Sequence, residues 1–330
     1  MANKNLQKAK HDKNDEFYTQ LPDIENELRH YKGHFEGKVI YCNCDDPFVS
    51  NFFRYFSLNF EHLKLKKLIA TCYRSDDAGV RTDLSSDRAI KLEYEGGKDG
   101  EGLPTLSEVT ITEIDGDGDF RSEECIEILK EADIVVTNPP FSLFREYVSQ
   151  LVDHDKKFII IGSMNAITYK DFFPYLKEGK VWLGNKQGGF EFEVPMDFEQ
   201  NNTYIKDGKK FAKFGNISWF TNLDIAKRHE NLLLFKTYNA DDYPTYDNFH
   251  AIEVGKVKDI PADYDGVMGV PISFLDKHNP SQFEIVASDY QIKQGEVPEL
   301  INDKWEGKYD RAYLNGKRMY SRLFIKKIPA

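Results

Sequence analysis

The chain has 330 residues, of which 40% are hydrophobic and 14% aromatic, so it can bury the core of one large domain or two ordinary ones. No apolar run approaches the ~18 residues of a membrane-spanning helix, and Met1 to Asn5 contain no apolar signal-peptide core. We therefore expect a soluble, cytoplasmic protein without a membrane partner.

The formal net charge is -11, but charges of the two signs are segregated along the chain. Residues 101–133 carry eleven acidic residues against Arg121 and Lys130, whereas no acidic residue follows Asp310. Charge runs are usually solvated faces, but such segregation also allows a basic cleft on an acidic molecule. The net charge therefore does not exclude a nucleic-acid partner.

The four cysteines lack the pattern of a metal site. Cys42 and Cys44 alternate along one predicted strand instead of taking the spacing of a zinc knuckle, and no histidine cluster accompanies them. Residues 115–119 (Asp-Gly-Asp-Gly-Asp) begin like a calcium loop, but Phe120 stands where glycine is needed. We predict reduced thiols and no metal.

Apolar runs that alternate with helical patterns predict most of the elements. A basic arm (1–13) comes first, and a helix from about Pro22 to Tyr31 follows. The runs that predict strands are 38–43, 67–73, 89–94, 108–114, 133–137, 157–162, 181–183 and 216–220. Further helices are predicted at 46–60 (Asp46 as N-cap, Pro47 at the first position), after Ser122 to Lys130, from Phe144 to Leu151 and at 169–176.

This alternation predicts an α/β fold built on a doubly wound sheet. Residues 185–213 are rich in Gly, Asn and Lys and predict a long loop. From about Leu223 onward the alternation fades, and Tyr, Asp, Gly and Pro become frequent. We therefore predict two domains, 1–223 and 224–330, of which the second is irregular with short strands.

The most informative stretch is Asp133 to Phe141, in which a buried strand runs directly into Asn138-Pro139-Pro140-Phe141. The prolines end the strand because they cannot donate to a sheet ladder and they restrict the preceding residue. Asn138 and Phe141 are thereby left on a stiff corner at the carboxyl end of a strand, where open α/β sheets bind ligands.

This corner suits methylation of an exocyclic amine on an aromatic ring. Such an amine is a poor nucleophile because its lone pair is delocalised, and two fixed acceptors at its hydrogens would localise that lone pair. The side-chain oxygen of Asn138 and the carbonyl of Pro139 can act as these acceptors without changing protonation state. Phe141 offers a flat face for stacking of the base.

With these residues the chain resembles the EcoRI-type family of adenine-specific DNA methyltransferases over nearly its whole length. The resemblance rests on seven blocks: DEFYTQ (15–20), YCNCDDP (41–47), GDGDFRS (116–122), ADIVVTNPPFSLFREY (132–147), WFTNL (219–223), DGVMGVPISFLD (265–276) and LNGKR (314–318). It implies a Rossmann-like S-adenosylmethionine-dependent methyltransferase fold. Its sheet is expected to be mixed and seven-stranded, with an antiparallel last strand, and a C-terminal target-recognition region follows it.

The resemblance also implies the site residues, with Asn138, Pro139, Pro140 and Phe141 as the catalytic corner. Those expected to bind the cofactor S-adenosyl-L-methionine are Phe17, Tyr18, Thr19, Asn43, Cys44, Asp45, Asp46, Asp119 and Phe120. Asp119 is expected to bind the exocyclic amine of the cofactor's adenine, and Phe120 to contact its ring. The ribose ligand stays open among Asp45, Asp76 and Asp77, because the second strand ends in Thr71-Cys72-Tyr73 without an acid.

The activity implied is transfer of a methyl group to N6 of an adenine that is flipped out of double-stranded DNA. We expect phosphate contacts from Lys206, Lys209, Lys210, Lys213, Lys317, Arg318 and Arg322. A monomer is expected, together with a possible cognate restriction endonuclease that forms no stable complex with it. Methylation of RNA or of a protein glutamine, and a non-catalytic DNA-binding role, are the alternatives left open.

Overall fold

The computed structural model describes residues 18–44, 48, 50–71, 89–97, 108–198 and 202–329. Within them the chain divides into two compact units. The first unit is drawn from Met1–Met164 and Gly184–Leu223, and the second from Asn165–Leu183 and Asp224–Ala330. Residues 165–183, which precede the predicted boundary, thus belong to the second unit.

The described residues form eighteen strands, eight α-helices and six short 3-10 helices. The strands are β1 (Tyr18–Thr19), β2 (Val39–Cys42), β3 (Lys67–Thr71), β4 (Ile90–Tyr94), β5 (Thr110–Glu113), β6 (Ile134–Thr137), β7 (Lys157–Ser163), β8 (Trp182–Gln187), β9 (Phe190–Val194), β10 (Thr203–Lys206), β11 (Lys209–Phe214), β12 (Ile217–Thr221), β13 (Ile252–Glu253), β14 (Met268–Pro271), β15 (Phe283–Ser288), β16 (Tyr313–Leu314), β17 (Lys317–Arg318) and β18 (Arg322–Lys327). The α-helices are α1 (Leu21–Leu28), α2 (Lys32–Phe35), α3 (Asn51–Leu58), α4 (Phe60–Leu63), α5 (Glu123–Glu131), α6 (Phe144–Asp153), α7 (Phe173–Lys177) and α8 (Asp289–Lys293). The 3-10 helices are Arg29–Tyr31, Met164–Thr168, Ala226–His229, Val257–Asp259, Ile272–Lys277 and Pro298–Leu300.

The main sheet contains eight described strands in the order β5-β4-β3-β2-β6-β7-β12-β8. Strands β3, β2, β6 and β7 are parallel, whereas β4 and β5 on one side and β12 on the other are antiparallel to their neighbours. The mixed α/β class is therefore confirmed. The predicted seven strands become eight, because the β4–β5 hairpin extends the sheet beyond β3 and β8 extends it beyond β12.

The order of the strands creates a switch point between β2 and β6. After β2 the chain adds β3, β4 and β5 on one side, and it then crosses to the other side with β6 and β7. In open α/β sheets, ligands bind beyond the carboxyl ends of the strands at such a point. Asn43 directly follows β2 and Asn138 directly follows β6, so both residues lie at the switch point.

Buried apolar strands and capped helices form the layers around this edge. All residues of β2 and β6 are buried, as is usual for parallel strands covered on both faces. The Ser122 hydroxyl accepts from the Cys125 N–H and caps α5, as predicted. The helix predicted from Asp46 instead begins at Asn51 with Ser50 as its cap; Asp46 itself lies outside the described residues.

A second sheet of the first unit has the strand order β1-β9-β11-β10 and is antiparallel throughout. It corrects the predicted long loop at 185–213. The segment Phe190–Val194 alternates apolar and acidic residues, and its burial alternates with it, which is the pattern of a strand with one covered face. The alternation was not recognised from sequence because the surrounding residues are rich in Gly, Asn and Lys, which is typical of loops.

The second unit contains short strands around its own apolar core. Its sheet has the order β13-β14-β18-β15, and β16 and β17 form a separate hairpin. The core residues include Tyr246, Phe249 and Phe324. Of the cysteines, Cys42, Cys44 and Cys125 form no disulfide among the described residues, and Cys72 lies outside them. In the described chain we find no α-helix with the length and apolar character needed to cross a bilayer.

Candidate active site

The corner after β6 is buried and is fixed by a turn. Asn138 is 7% exposed, Pro139 is buried, and Pro140 and Phe141 are half-buried. The Pro140 carbonyl accepts a hydrogen bond from the Leu143 N–H at 3.0 Å, and α6 begins one residue later. Strand, proline pair and helix therefore fix the corner from both sides.

Asn43 connects the ends of the two strands that flank the switch point. Its backbone carbonyl accepts a hydrogen bond from the Thr137 hydroxyl at the end of β6. Its side-chain oxygen accepts one from the Tyr147 hydroxyl on α6. All three residues are buried, and burial raises the pKa of Tyr147 well above its usual value. This buried network consequently stays neutral.

Phe120 joins this network through an aromatic contact. Its ring meets the ring of Tyr147 edge-on, with centroids 5.0 Å apart. Its carbonyl accepts a hydrogen bond from the side-chain amide of Gln150 at 3.0 Å. Tyr147 thus contacts both Asn43 and Phe120, and it lies on the helix that follows Asn138. From sequence we predicted only that Tyr147 lies on a helix between Phe144 and Leu151.

Asp119 carries a carboxylate that is held by Arg121. Its Oδ1 accepts from the Arg121 backbone N–H and from Nε, both at 2.8 Å, and its Oδ2 lies 2.5 Å from Nη2. These bonds to Arg121 lower the pKa of Asp119. The carboxylate is therefore anionic at neutral pH, and its lone pairs exceed the bonds that Arg121 makes.

The N-terminal strand β1 brings Thr19 to the second sheet. Thr19 pairs with Phe192, and its carbonyl accepts from the side-chain amide of Asn51 at 2.7 Å. The buried Thr19 hydroxyl oxygen has no hydrogen-bond partner within the described parts of the chain. Phe192 in turn meets the Phe141 ring edge-on at 6.4 Å, so β9 connects Thr19 to the corner.

Other predicted cofactor residues are described only in part. Cys44 adopts a φ of 76° in the left-handed region, which marks a sharp change of direction after Asn43. Tyr18 pairs with Glu193 through its backbone. Phe17, Asp45 and Asp46, and the further ribose candidates Asp76 and Asp77, lie outside the described residues.

The lysines predicted to contact DNA in the first unit lie on the β10–β11 hairpin. Lys206 and Lys209 flank its turn, and Lys209 and Lys213 pair with Glu193 and Glu191 at 2.8 and 3.0 Å. The Lys210 ammonium donates to the Met196 carbonyl at 3.0 Å. Lys206, Lys209 and Lys213 are exposed, and Lys210 is half-buried.

The basic residues predicted in the second unit are divided between surface and core. Lys317 and Arg318 are exposed on the β16–β17 hairpin, where Arg318 pairs with Asp310 at 2.9 Å. Arg322 is 8% exposed and binds the Glu253 carboxylate at 2.7 and 3.0 Å. The predicted phosphate contact of Arg322 is therefore wrong, because the guanidinium is inside the unit and already neutralised.

An open mixed sheet with an Asn-Pro-Pro-Phe corner at its switch point is typical of the α/β methyltransferases that modify amino groups. The family model described as "Adenine-specific methyltransferase EcoRI" matches residues 5–328. The chain belongs to this family.

Curated relatives agree with that assignment. The chain is 47% identical to the type II methyltransferase M.EcoRI of Escherichia coli over 98% of its own length and 97% of the relative's. It is 41% identical to M.MgeORF184P of Mycoplasma genitalium over 97% of its own length and 98% of the relative's. It is 38% identical to M.MpnI of Mycoplasma pneumoniae over 97% of each chain. Both relatives are also named type II methyltransferases. No solved structure matches the chain.

The predicted family and enzymatic class are thus confirmed. The protein is a site-specific DNA methyltransferase that modifies N6 of adenine. This assignment decides against the three alternatives left open by the corner itself, which were methylation of RNA, methylation of a protein glutamine and DNA binding without catalysis.

Proposed function

We propose that the first unit binds S-adenosylmethionine and transfers its methyl group to an adenine flipped out of duplex DNA into the Asn138 corner. The observation that carries this proposal is the junction at Tyr147. A single buried side chain contacts Asn43 after β2 and Phe120 before α5, and it lies on the helix that continues from Asn138. The predicted cofactor residues and the predicted catalytic corner therefore share one rigid support.

The chemistry of the described residues fits this cofactor. When bound, S-adenosylmethionine would supply an activated methyl group, whose bond to the sulfonium sulfur breaks as the bond to N6 forms, with a neutral thioether as leaving group and one N6 proton released to solvent. The Asp119 carboxylate can accept from an adenine amine, and Phe120 offers a ring contact beside it. The Thr19 hydroxyl is buried without a partner within the described residues, and a buried polar atom of this kind costs about 1–3 kcal/mol unless a bound group satisfies it.

At the target adenine, Asn138 and Pro139 act as hydrogen-bond acceptors. Their oxygens hold the two hydrogens of the N6 amine and keep its lone pair directed at the methyl group. Phe141 stacks on the base, and its contact with Phe192 fixes the ring plane. Extrusion of the base costs a few kcal/mol, which stacking and backbone contacts offset.

We place target reading in the second unit and the phosphate contacts on Lys206, Lys209, Lys210, Lys213, Lys317 and Arg318. Lysine and arginine side chains hold the DNA backbone and fix its register, while sequence is read at base edges. We further propose that the enzyme acts as a monomer, and that a restriction endonuclease cutting the same sequence would work without a stable complex.

The test compares Asn138→Ala with Asn138→Asp. Alanine removes the side-chain acceptor, so turnover should fall by about 10² to 10³-fold or more, as for loss of one preorganised polar group at other reacting centres. Aspartate keeps an oxygen acceptor and should retain more activity than alanine. Calorimetry should give nearly the wild-type affinity of both variants for S-adenosylmethionine.

The matched control is Asn216→Ala, because Asn216 is exposed and lies beside Ser163 at the carboxyl end of β7. It should keep activity within about twofold of wild type. Sequencing of DNA from an expressing host for N6-methyladenine would give the recognition sequence for these assays. Unchanged turnover of Asn138→Ala would refute the role given to Asn138.

A further inference from the structure

The β10–β11 hairpin of the first unit is rigid at its turn. Its strands pair from Thr203 with Ala212 to Lys206 with Lys209, and only Asp207 and Gly208 lie between them. Both turn residues have positive φ, 51° and 77°. Such a two-residue turn matches the twist of the strands and fixes their register. The end of the hairpin is therefore a defined structure and not a mobile loop.

One face of this sheet connects the hairpin to the catalytic corner. Paired residues of antiparallel strands point to the same face. Thr19 pairs with Phe192, Phe192 with Ala212, and Ala212 with Thr203, from which Ile205 is two residues away along the strand. Ile205 thus lies on the same face as Phe192, whose ring contacts Phe141.

This face changes from buried to exposed toward the hairpin. Phe192 and Ala212 are fully buried, whereas Ile205 is 63% exposed and Met196, after β9, is 61% exposed. Two strand spacings and two residues separate Phe192 from Ile205, which is roughly 12 Å. An exposed branched apolar side chain thus lies three to four base steps from the ring that supports Phe141, at about 3.4 Å per step.

Lysines lie on the hairpin that carries Ile205, most of them on its other face. Lys206, Lys209 and Lys213 are exposed on the face opposite Ile205, where Lys209 and Lys213 pair with Glu193 and Glu191, and Lys210, the pairing partner of Ile205, is half-buried on the same face as Ile205. A hairpin with exposed lysines on one face and an exposed apolar residue on the other suits a partner with an anionic backbone and an apolar stack. Proteins that open or kink a duplex insert Ile, Leu, Met or Phe between bases in this way.

We propose that the β10–β11 hairpin enters the duplex beside the target adenine and that Ile205 fills the gap in the base stack left when the adenine is extruded. The inference rests on the proposed function, since it requires a flipped base. It assigns a positioning role to a residue that makes no contact with the reacting atoms. Lys206 and Lys209 would hold the phosphates on either side of the gap.

The test is Ile205→Ala on two duplexes that contain the recognition sequence. In the first the target adenine faces thymine, and in the second it faces an abasic site, where extrusion is easier. On the paired duplex, kcat/KM should fall by about 10- to 100-fold, because the open stack is no longer filled. On the abasic duplex it should stay within about threefold of wild type.

The controls distinguish a loss of stack filling by Ile205 from a folding defect and from a failure of the proposed methyl transfer. Ile205→Leu should behave nearly as wild type, and so should Leu58→Ala, which truncates an exposed leucine at the far end of α3. The melting temperature of Ile205→Ala should not change, because the side chain is exposed. Fluorescence of 2-aminopurine at the target position should report less extrusion in Ile205→Ala than in wild type.

Equal losses on both duplexes, or no loss on either, would overturn the role of Ile205 and leave the proposed function intact. Absence of a 2-aminopurine signal with the wild-type enzyme would instead contradict base flipping itself. Asn138→Ala should be inactive on both duplexes, and this distinguishes a catalytic defect from an extrusion defect.

Discussion

Each unit of the protein contains a buried polar network, and the two networks differ in charge. In the first unit Asn43, Thr137 and Tyr147 form a neutral network at the edge where the proposed cofactor and catalytic residues converge. In the second unit Arg322 binds Glu253, and the Tyr246 hydroxyl also donates to that carboxylate. Asp289 accepts from the backbone N–H of Arg322 at 2.7 Å.

The difference shows what each network does. A neutral network positions groups without changing over the pH range of the enzyme, which suits a site that must not compete for protons with the reaction. A buried ion pair is costly to form and very costly to break, so it links β13 to β18 only when both partners are present. Site geometry and unit stability should therefore respond to different substitutions.

The largest expected effect is from Arg322→Ala. Removal of the guanidinium leaves the Glu253 carboxylate buried without its cation, which should lower the free energy of unfolding by about 3–5 kcal/mol. The double variant Arg322→Met with Glu253→Leu should recover most of that loss, since neither member of the pair then leaves an uncompensated charge. Denaturant unfolding measures both. A loss below about 1 kcal/mol for the single variant would show that the pair does not hold the unit.

Asp289 should make stability depend on pH. Burial raises its pKa to about 6, above the ~3.9 of an unfolded chain. Its favourable contribution is therefore complete below about pH 4 and is lost as the pH rises through 6, which amounts to about 3 kcal/mol for a shift of two units. The quantity to measure is the difference in unfolding free energy between wild type and Asp289→Asn.

The difference between the two proteins removes the contribution that the other carboxylates make to the pH dependence of stability. Several of these carboxylates have a lowered pKa and therefore act in the opposite sense. Wild type should lose about 2 kcal/mol relative to Asp289→Asn between pH 4 and pH 7. A difference that does not vary with pH would mean that Asp289 titrates near its usual value.

In the neutral network, Tyr147→Phe should cost about 1–3 kcal/mol of unfolding free energy, because the side-chain oxygen of Asn43 loses its buried donor. Because the phenyl ring keeps the contact with Phe120, the change in unfolding free energy measures the contribution of the Tyr147 hydroxyl alone. The KM for the methyl donor should rise more than kcat falls, since Asn43 is proposed to bind the cofactor. Tyr175→Phe, on the short helix α7, is a matched control.

The smallest effect on stability is expected from Arg121→Ala. The Arg121 side chain is 45% exposed, and ion pairs of this kind contribute about 0–1 kcal/mol. The pKa of Asp119 should return toward its usual value, which NMR titration of the carboxyl measures. A loss above about 2 kcal/mol would mean that this pair belongs with the buried networks.

Local patterns predicted the main sheet and the corner, because a buried parallel strand is a short apolar run that ends at a turn. The runs at Val39, Lys67, Ile134 and Lys157 all became strands, and the position of Asn138 after β6 followed from its prolines. The second sheet could have been predicted as well. The alternation of Phe190 to Val194 was the signal, and its Gly-rich surroundings obscured it.

Long-range pairing could not be predicted. The hydroxyl of Tyr147 meets Asn43 across 104 residues, and Arg322 meets Glu253 across 69. Nothing in the local sequence of Arg322 distinguishes it from Lys317, because burial depends on which strand lies opposite. The basic run near the C-terminus therefore predicted a surface correctly for Lys317 and Arg318 and wrongly for Arg322.

With target reading proposed for the second unit, the path of the chain has a consequence for exchanging specificity between relatives. The polypeptide leaves the first unit after Met164, returns at Gly184 and leaves again after Leu223. Residues 165–183 pack within the second unit. Helix α7 contacts β15, and the Cζ atom of Arg228 lies 3.5 Å from the centroid of the Trp182 ring. A chimera joined only at residue 223 would take residues 165–183 of the second unit from one parent. Residues 224–330, which form the sheet of that unit, would come from the other parent. On the proposed placement of target reading, a graft that changes specificity should carry both segments, 165–183 and 224–330.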